Sequence, residues 1–353
     1  MIKTEIYDAQ KGVKLYTLGN SKGMTASFIE RGATIISLCT PDKDGKIENV
    51  VVQLKDYDEY VKNTCYIGVV PGRYANRIGD SKFTLDGVEY KLNANDGKNS
   101  LHGGPHGFHE KNWTVKSFVD DAQNGPSITF EYQSPDGEEN FPGNLCATVT
   151  YRVTEQNELA IHYQATTDKA TIVNLTQQAD FNLSGNFKNT SIADYAVMIN
   201  ADAITEVDSE SIPTGVLAPV AGTDFDFRSF RRLKTIKDFY YDHNYCLNTK
   251  NGEMILAGEV EDPESGRIMK VFTTEPGMQF YTGNFLDGTL QTAFGNTVTR
   301  QSAFCFETQH FPDAPNNPSF ATTTLRPGQN YNHKAVFKFE VENDNDKKFF
   351  PAV

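Results

Sequence analysis

A single carboxylate stands near the end of an apolar, strand-like run, and it has the clearest capacity for chemistry. Residues 301–310 read QSAFCFETQH, and Glu307 is the acidic residue of that run. A carboxylate held on a rigid, half-buried strand is partly desolvated and fixed in direction, which raises its basicity. Glu307 is therefore a candidate proton acceptor; the alternative is an exposed glutamate at a strand end.

Two further segments bring arginine, asparagine and histidine to neighbouring turns. The first, PGRYANRI, contains Arg73, Asn76 and Arg77, and the second, NSLHGGPHGFH, contains His102. Arginine supplies a fixed fork of donors that suits sugar hydroxyls, and a histidine on a glycine-rich loop can approach a ligand closely. Taken alone, either arginine would be interpreted as a surface ion-pair partner.

Three imidazoles within eight residues, His102, His106 and His109, raise the question of a metal site. The glycines and proline between them exclude a helix that would align the rings on one face. The sequence therefore predicts no bound metal.

Alternation of apolar and polar residues predicts the strands that position these side chains. The pattern is clear in four runs, at 127–133, 147–153, 159–164 and 334–342. Asp–Gly and Asn–Gly pairs add turn signals, and helical patterns are limited to short pieces near 56–61 and 228–239. We expect an all-β fold, a large antiparallel β-sandwich with few short helices, with the chemistry on loops and strand ends along one concave face.

Composition indicates a globular protein with a neutral ligand. Hydrophobic residues make up 38% and aromatic residues 12% of the 353 residues, which suffices for a packed core. The 46 acidic and 33 basic residues give a net charge of −13, which repels nucleic-acid phosphates and anionic membranes. We expect a small-molecule partner such as a sugar, with no nucleic acid and no membrane. Since no linker or repeat divides the chain, 1–353 is predicted to be one domain.

The cysteines and the start of the chain bear on its compartment. Five scattered cysteines form no CxxC pair, so we interpret them as free, reduced and structural. The first residues lack an apolar core of signal-peptide length, and no run of eighteen apolar residues occurs. These features predict a cytoplasmic protein, either a monomer or a homodimer.

Motifs along essentially the whole chain resemble the aldose 1-epimerase, or galactose mutarotase, family. The resemblance is carried by GRYANRIG (72–79), NSLHGG (99–104), FHEKNW (108–113), VNLT (173–176), FNLSG (181–185), YDHNYCL (241–247) and FETQHFPDAPN (306–316). It implies the galactose mutarotase-like supersandwich, carbohydrate metabolism, and a site for free aldohexoses such as galactose, with no metal or organic cofactor.

The resemblance also implies roles for individual residues. Glu307 falls on the position of the general base, which takes the proton from the anomeric hydroxyl. His102 and Arg77, with Asn76 beside it, fall where the sugar is held and its oxygens are polarised, and Asp242 falls where sugar hydroxyls are received. Opening a cyclic sugar needs a base at one end of the C–O bond and an acid at the other.

The chain departs from the family at the position of the acid. The family segment resembles NLTNHxYFNL, whereas this chain reads NLTQQADFNL, so that Gln178 replaces the expected histidine. An amide can bind a ring oxygen but cannot surrender a proton. Loss of a positioned acid costs roughly 10²–10⁴ in rate.

Asp180 replaces the family's usual tyrosine two residues later. Positions i and i+2 of an extended strand share a face, so this carboxyl could enter the pocket beside Gln178. We hypothesise that Asp180 or His102 donates the proton in place of the usual histidine. The alternative is that Asp180 binds a sugar hydroxyl or pairs with an arginine.

Three functions follow from these observations. The first is an aldose 1-epimerase, an isomerase that interconverts the anomers of aldohexoses with an atypical acid. The second is an enzyme of the same fold that uses the Glu307 base for another isomerisation or an elimination on a sugar-like substrate. The third is a sugar-binding protein without catalysis, which the glutamine favours and the complete segment around the base disfavours.

Overall fold

The computed structural model describes residues 1–250 and 252–342, and strands dominate it. The strands, numbered in chain order, are β1 (Ile2–Asp8), β2 (Val13–Gly19), β3 (Thr25–Phe28), β4 (Ile35–Pro41), β5 (Ile47–Asn49), β6 (Arg77–Ile78), β7 (Lys82–Leu85), β8 (Val88–Lys91), β9 (Ser100–Leu101), β10 (Thr114–Val119), β11 (Ser127–Ser134), β12 (Leu145–Val153), β13 (Glu158–Thr167), β14 (Thr171–Ile172), β15 (Ala196–Ile199), β16 (Ala201–Val207), β17 (Pro213–Pro219), β18 (Arg231–Arg232), β19 (Asp242–Leu247), β20 (Ile255–Glu261), β21 (Arg267–Thr273), β22 (Gly277–Tyr281), β23 (Asp287–Gln291), β24 (Thr297–Thr299), β25 (Cys305–Gln309), β26 (Thr324–Leu325) and β27 (Tyr331–Val341).

Helical structure is brief. One α-helix, α1, covers Tyr57–Val61, and Asp56 caps it by accepting a hydrogen bond from the backbone N–H of Glu59 at 3.0 Å. Single 3₁₀ turns occur at Gly79–Ser81, Phe108–Glu110, Glu138–Asn140, Leu233–Thr235 and Ala314–Asn316. The described helices are all too short to cross a membrane.

Three large antiparallel sheets form a β-sandwich, as predicted. The nine-stranded sheet has the order β10-β11-β12-β13-β27-β21-β20-β15-β18, and the two five-stranded sheets have the orders β1-β2-β3-β4-β5 and β17-β16-β19-β22-β25. The largest core cluster contains residues from all three, including Phe28, Tyr151 and Phe280. Both five-stranded sheets therefore share one apolar interior with the nine-stranded sheet.

The four predicted alternating runs are strands β11, β12, β13 and β27. Along β12, buried and half-buried residues alternate without a break, as one face packs on the core and the other lies toward solvent. The predicted helical piece at 56–61 is also confirmed.

The helical prediction for 228–239 is wrong apart from one turn. Arg231–Arg232 instead pair with β15, and the next two backbone N–H groups donate to the carbonyls of Tyr195 and Ala193 at 3.0 and 2.7 Å. Tertiary pairing at the sheet edge thus takes the backbone donors that a helix would need. All five cysteines are free, as predicted.

Arg73 is buried rather than a surface ion-pair partner. Its guanidinium donates to the side chain and carbonyl of Ser134 at 2.8 and 2.9 Å, and to the carbonyls of Pro135 and Pro142 at 2.7 and 3.0 Å. The side chain therefore ties the loop before β6 to the end of β11 and the segment after it, where its donors bind buried carbonyl groups.

Replacing this arginine tests its structural role. We expect Arg73→Lys to lower the free energy of unfolding by about 3 kcal/mol, because an ammonium cannot reproduce the four-bond fork and leaves buried carbonyls unpaired. Arg326→Lys is the matched control, since Arg326 pairs with Asp86 on the surface and its loss changes little. Equal denaturation midpoints for the two variants would contradict this account.

Candidate active site

Glu307 lies in the middle of β25, where strand alternation separates core residues from site residues. Phe304 and Phe306 point into the core and contact each other at a centroid distance of 5.6 Å. Cys305, Glu307 and Gln309 share the opposite face. All three are buried, so this strand presents a polar row that solvent scarcely reaches.

The neighbouring strands extend the polar row. Gln279 of β22 lies directly opposite Glu307, and Asn244 of β19 lies opposite Gln279. The Gln279 side chain donates to the Asp242 carboxylate at 2.7 Å and accepts from the amide of Gln309 at 3.3 Å. These hydrogen bonds are incomplete: among the described residues, Oε2 of Glu307, Nδ2 of Asn244 and Oε1 of Gln309 are buried with no hydrogen-bond partner.

The surroundings of Glu307 favour its protonated form. Burial raises its pKa well above the usual value, the negative charges of Asp242 and Asp180 raise it further, and the charge of Arg77 opposes them. A carboxylate so placed takes up a proton more readily than an exposed one. The site therefore has the properties expected of a general base.

Arg77 is held between two carboxylates. Its Nε donates to Asp96 at 2.8 Å, and its Nη1 lies 3.8 Å from Oδ2 of Asp242. The backbone N–H of Arg77 donates to the side-chain oxygen of Asn76 at 2.8 Å. The guanidinium is thereby fixed in direction close to the polar row, unlike a mobile surface arginine.

His102 is joined to Asn76 by two hydrogen bonds. The His102 backbone N–H donates to the Asn76 carbonyl at 3.1 Å, and the Asn76 N–H donates to Nδ1 of His102 at 3.1 Å. Burial lowers the pKa of His102 to about 3, and the charges of Arg77 and His109 contribute. The imidazole is therefore neutral, and since Nδ1 accepts, Nε2 carries the proton and can donate a hydrogen bond.

The backbone conformation around His102 restricts which residue types can occupy these positions. His102 has a φ of 53°, and Gly103 follows with a φ of 89°. A Cβ on Gly103 would lie 1.8 Å from the carbonyl oxygen of Gly72. Glycine is thus required for this close approach of two loops, which sets the position of the histidine.

Gln178 lies on the segment that follows β14, and its hydrogen bonds join this segment to residues 65–69. Its backbone N–H donates to the Val69 carbonyl at 3.0 Å, and its carbonyl accepts from Gly68 at 2.6 Å. The side-chain Nε2 donates to the Cys65 carbonyl at 3.5 Å, and Oε1 is buried without a partner. The amide therefore has unused capacity for a hydrogen bond.

Asp180 is buried next to the base. It is 1% exposed, and among the described residues its carboxyl oxygens have no hydrogen-bond partner apart from the thiol of Cys305. Burial raises its pKa to about 7, while the thiol of Cys305 acts in the opposite direction. The alternative in which Asp180 pairs with an arginine does not match these contacts.

The predicted site residues form one set that is linked by contacts and charge interactions, and Gln178 is less connected to it. Electrostatic interactions connect Glu307 with Arg77, Asp180 and Asp242, and connect His102 with Arg77. Asn76 joins this set through its hydrogen bonds, whereas the Gln178 side chain contacts the Cys65 carbonyl.

Sequence reasoning missed Gln279 and Cys305. Gln279 stands opposite the base and holds Asp242, and Cys305 lies against Asp180. The signal for Gln279 was a polar residue within the run GMQFY, the same pattern that drew attention to Glu307. A lone cysteine in an apolar run carries no comparable signal.

One set of potential metal ligands comes together within 1–250 and 252–342, and it includes none of the predicted site residues. Oε2 of Glu275 lies 2.6 Å from Nδ1 of His310, and Oε1 lies 3.3 Å from Nδ1 of His333. The charge of Glu275 raises the pKa of His310 against the effect of burial. An ion pair between Glu275 and His310 explains these contacts. Tyr331 also donates a hydrogen bond to Oε1 of Glu275 at 3.2 Å.

Comparisons with known proteins identify the family of the chain. The sequence profile of the family described as Aldose 1-epimerase matches residues 14–338. Galactose mutarotase of Sus scrofa is 44% identical over 325 residues, which cover 91% of this chain and 92% of that protein. Aldose 1-epimerase of Escherichia coli K12 is 36% identical over 341 residues, with 93% and 96% covered.

Two solved structures are also similar. The aldose epimerase homologue from C. elegans superposes with a TM-score of 0.86 at 31% identity, covering 94% of this chain and all of that one (100%). The galactose 1-epimerase from Lactobacillus acidophilus gives a TM-score of 0.83 at 26% identity, with 97% and 99% covered.

The pKa of Asp180 predicts how stability depends on pH. An aspartate in an unfolded chain has a pKa of about 3.9, whereas folded Asp180 has a pKa of about 7. Between these values the folded state binds more protons than the unfolded state, so the free energy of unfolding falls as the pH rises. Asp180→Asn cannot ionise, and we expect it to raise the unfolding temperature more at about pH 8 than at about pH 5.

Asp287→Asn is the control for this measurement, because Asp287 is exposed and accepts hydrogen bonds from Thr289 that lower its pKa. We expect Asp287→Asn to give no increase in unfolding temperature at the higher pH. If Asp180→Asn raised the unfolding temperature equally at both pH values, ionisation of the buried carboxyl would not be the cause of the pH dependence.

Proposed function

Because the chain belongs to the aldose 1-epimerase family and is an enzyme of the isomerase class, we propose that it interconverts the α and β anomers of free aldohexoses with Glu307 as the general base. The observation that carries this proposal is the burial of Glu307 on the face of β25 opposite the core phenylalanines. Its Oε2 has no hydrogen-bond partner, and burial and neighbouring charge raise its proton affinity. Such a group can take a proton from a sugar hydroxyl.

The reaction divides into two proton transfers around one bond. Glu307 takes the proton of the anomeric hydroxyl, the electron pair of that O–H bond forms the aldehyde, and the bond between C1 and the ring oxygen breaks. An acid supplies a proton to the ring oxygen as it leaves. After rotation about C1–C2, the reverse transfers close the ring as the other anomer, so no atom or electron is gained or lost.

The residues around the base can hold the sugar. Arg77 and the Nε2–H of His102 are donors that are fixed in direction and suit sugar oxygens. Asp242 accepts from hydroxyl groups, and Gln178 offers an amide with unused hydrogen-bonding capacity. Asn76 contributes by positioning both Arg77 and His102.

The acid is the more demanding assignment, and Asp180 suits it better than His102. A neutral imidazole with a pKa of about 3 has no proton to give near neutral pH beyond the one on Nε2, which leaves only at very high pH. Asp180, with a pKa of about 7, is about half protonated at neutral pH. We therefore assign the proton transfer to Asp180, directly or through one water, and sugar binding to His102.

Gln178 favours a second candidate, a sugar-binding protein that has lost catalysis, because an amide cannot donate the proton that the expected histidine would. The high proton affinity of Glu307 argues for catalysis, since binding a neutral sugar does not need it. Sugar affinity without accelerated mutarotation would favour this second candidate.

Replacing the base tests the proposed reaction. We expect the wild-type protein to accelerate the optical relaxation of fresh α-D-glucose or α-D-galactose, and Glu307→Gln to lower the rate by about 10²–10⁴ because an amide cannot accept the proton. Polarimetry measures both rates, and the exposed Glu253→Gln serves as the control. Unchanged relaxation in Glu307→Gln would refute the assignment of the base.

The pH profile tests the acid. Activity should rise with pH as Glu307 ionises and fall above about pH 7 as Asp180 ionises. We expect Asp180→Asn to remove the fall at high pH together with about 10²–10⁴ of the rate, and Gln178→His to restore part of that rate in the Asp180→Asn background. A wild-type rate in Asp180→Asn, measured by polarimetry, would end the proposal for this acid.

A further inference from the structure

Three ionisable side chains that the proposed reaction does not use converge where β22 begins and β25 ends. Glu275 precedes β22, His310 follows β25, and His333 belongs to β27. One ligand atom from each residue, a carboxylate oxygen or a ring nitrogen, lies within 4.8 Å of the other two. We call these three residues the Glu–His–His cluster.

The cluster is buried, and two of its polar atoms lack ordinary partners. Glu275 is 1% exposed and His310 is 9% exposed. Oε2 of Glu275 and Nδ1 of His310 lie 2.6 Å apart, yet neither atom makes a hydrogen bond within the described part of the chain. Buried polar atoms that approach without such a bond are suited to facing a third atom that both of them bind. The ion pair between these residues is then the form of the cluster without that atom.

The distances within the cluster suit a small divalent cation. Zn²⁺ binds imidazole nitrogen and carboxylate oxygen at about 2.0–2.2 Å, so two ligands at a tetrahedral angle lie about 3.4 Å apart. Oε1 of Glu275 lies 3.3 Å from Nδ1 of His333, which matches this spacing. The His310 ring would have to move outward by about 0.8 Å to reach it. The hydrogen bond between Thr274 and Nδ1 of His333 is long, at 3.4 Å, so a cation can replace it.

The donor types and their surroundings indicate which metal fits. Two imidazoles with one carboxylate suit Zn²⁺ and neighbouring transition ions, whereas Ca²⁺ and Mg²⁺ need more oxygen ligands. The Tyr331 hydroxyl donates to Oε1 of Glu275 at 3.2 Å, as does a residue that orients a metal-binding carboxylate. The His333 side chain is 21% exposed, which gives an ion a route from solvent.

We propose that Glu275, His310 and His333 form a binding site for a divalent transition metal such as Zn²⁺, with water as the fourth ligand. The metal binds unprotonated imidazoles, so the proton that His310 holds in the ion pair is released to solvent when the metal enters. Only metal–ligand bonds form, and the metal keeps its charge. The site is separate from the histidines at 102–109, for which the sequence predicts no metal.

The cluster is joined to the candidate active site through Asn174. The backbone N–H of His310 donates to Oδ1 of Asn174 at 3.0 Å. Nδ2 of Asn174 donates to the carbonyls of His310 and Ala75 at 3.2 and 3.3 Å, and Ala75 directly precedes Asn76. Since the ligands include none of the residues assigned to proton transfer, the role of the metal is to stabilise this part of the fold.

Zinc binding to the whole chain tests the site. Isothermal titration calorimetry with Zn²⁺, after treatment of the protein with a chelator, measures stoichiometry and affinity. We expect one Zn²⁺ per chain and a rise in unfolding temperature that chelation reverses. His310→Gln and His333→Gln should each weaken zinc binding by more than about 100-fold, because each removes a ligand. Tyr331→Phe should weaken it by about 10–100-fold, because the hydroxyl only orients the carboxylate.

His106→Gln is the control, since it removes an exposed imidazole that lies 2.9 Å from Glu110, and zinc affinity should not change. If His310→Gln fails to fold, His333→Gln on the more exposed ring decides the question. Absence of zinc binding, or equal affinity in wild type and His333→Gln, would overturn the site. A loss of the same size in His106→Gln would place the zinc on surface histidines and would also overturn it. The result does not depend on the proposed function, because no sugar takes part in the measurement.

Discussion

The proposed chemistry of this protein depends on a carboxylate that the fold removes from water. Desolvation of a charged group costs several kcal/mol unless partners offset it. Around Glu307 the structure supplies one opposing cation, Arg77, and two further carboxyl groups, Asp180 and Asp242. The balance leaves the group with a strong affinity for protons, which an exposed glutamate on a loop would lack.

This arrangement is possible because strand alternation gives each of three neighbouring strands two different faces. On β25 and β22 the core side carries Phe306 and Phe280, which meet at a centroid distance of 5.2 Å, and the other side carries Glu307 and Gln279. A shift of register by one residue would put the carboxylate in the apolar core and a phenylalanine in the site. The packing of the two phenylalanines thus fixes the direction of the base.

Sequence reasoning could predict what alternation and turn chemistry encode locally. The all-β architecture, the strand that carries Glu307 and the helix capped by Asp56 are of this kind. It could not separate Arg73 from Arg77, because both stand in one motif and only the tertiary contacts bury the first among carbonyl groups and place the second between carboxylates.

The wrong helix prediction at 228–239 and the missed Gln279 also arise from tertiary contacts that the local sequence does not encode. The segment 228–239 has a pattern compatible with a helix, but the edge of the nine-stranded sheet takes its backbone donors. Gln279 becomes part of the site through its register with Glu307, which strand pairing decides; a polar residue in an apolar run does not by itself show which residue it will face.

In the proposed reaction, Gln178 and Asp180 are best understood together, through the charge balance of the site. A histidine at position 178 could carry a positive charge, whereas glutamine cannot. Asp180 adds an acidic group that, if ionised, would place a second negative charge near Glu307. Two neighbouring carboxyl groups in a desolvated site favour a state in which they share one proton. The same burial that would make an ionised pair costly therefore keeps a proton available, so the acid role proposed for Asp180 does not need a histidine at position 178.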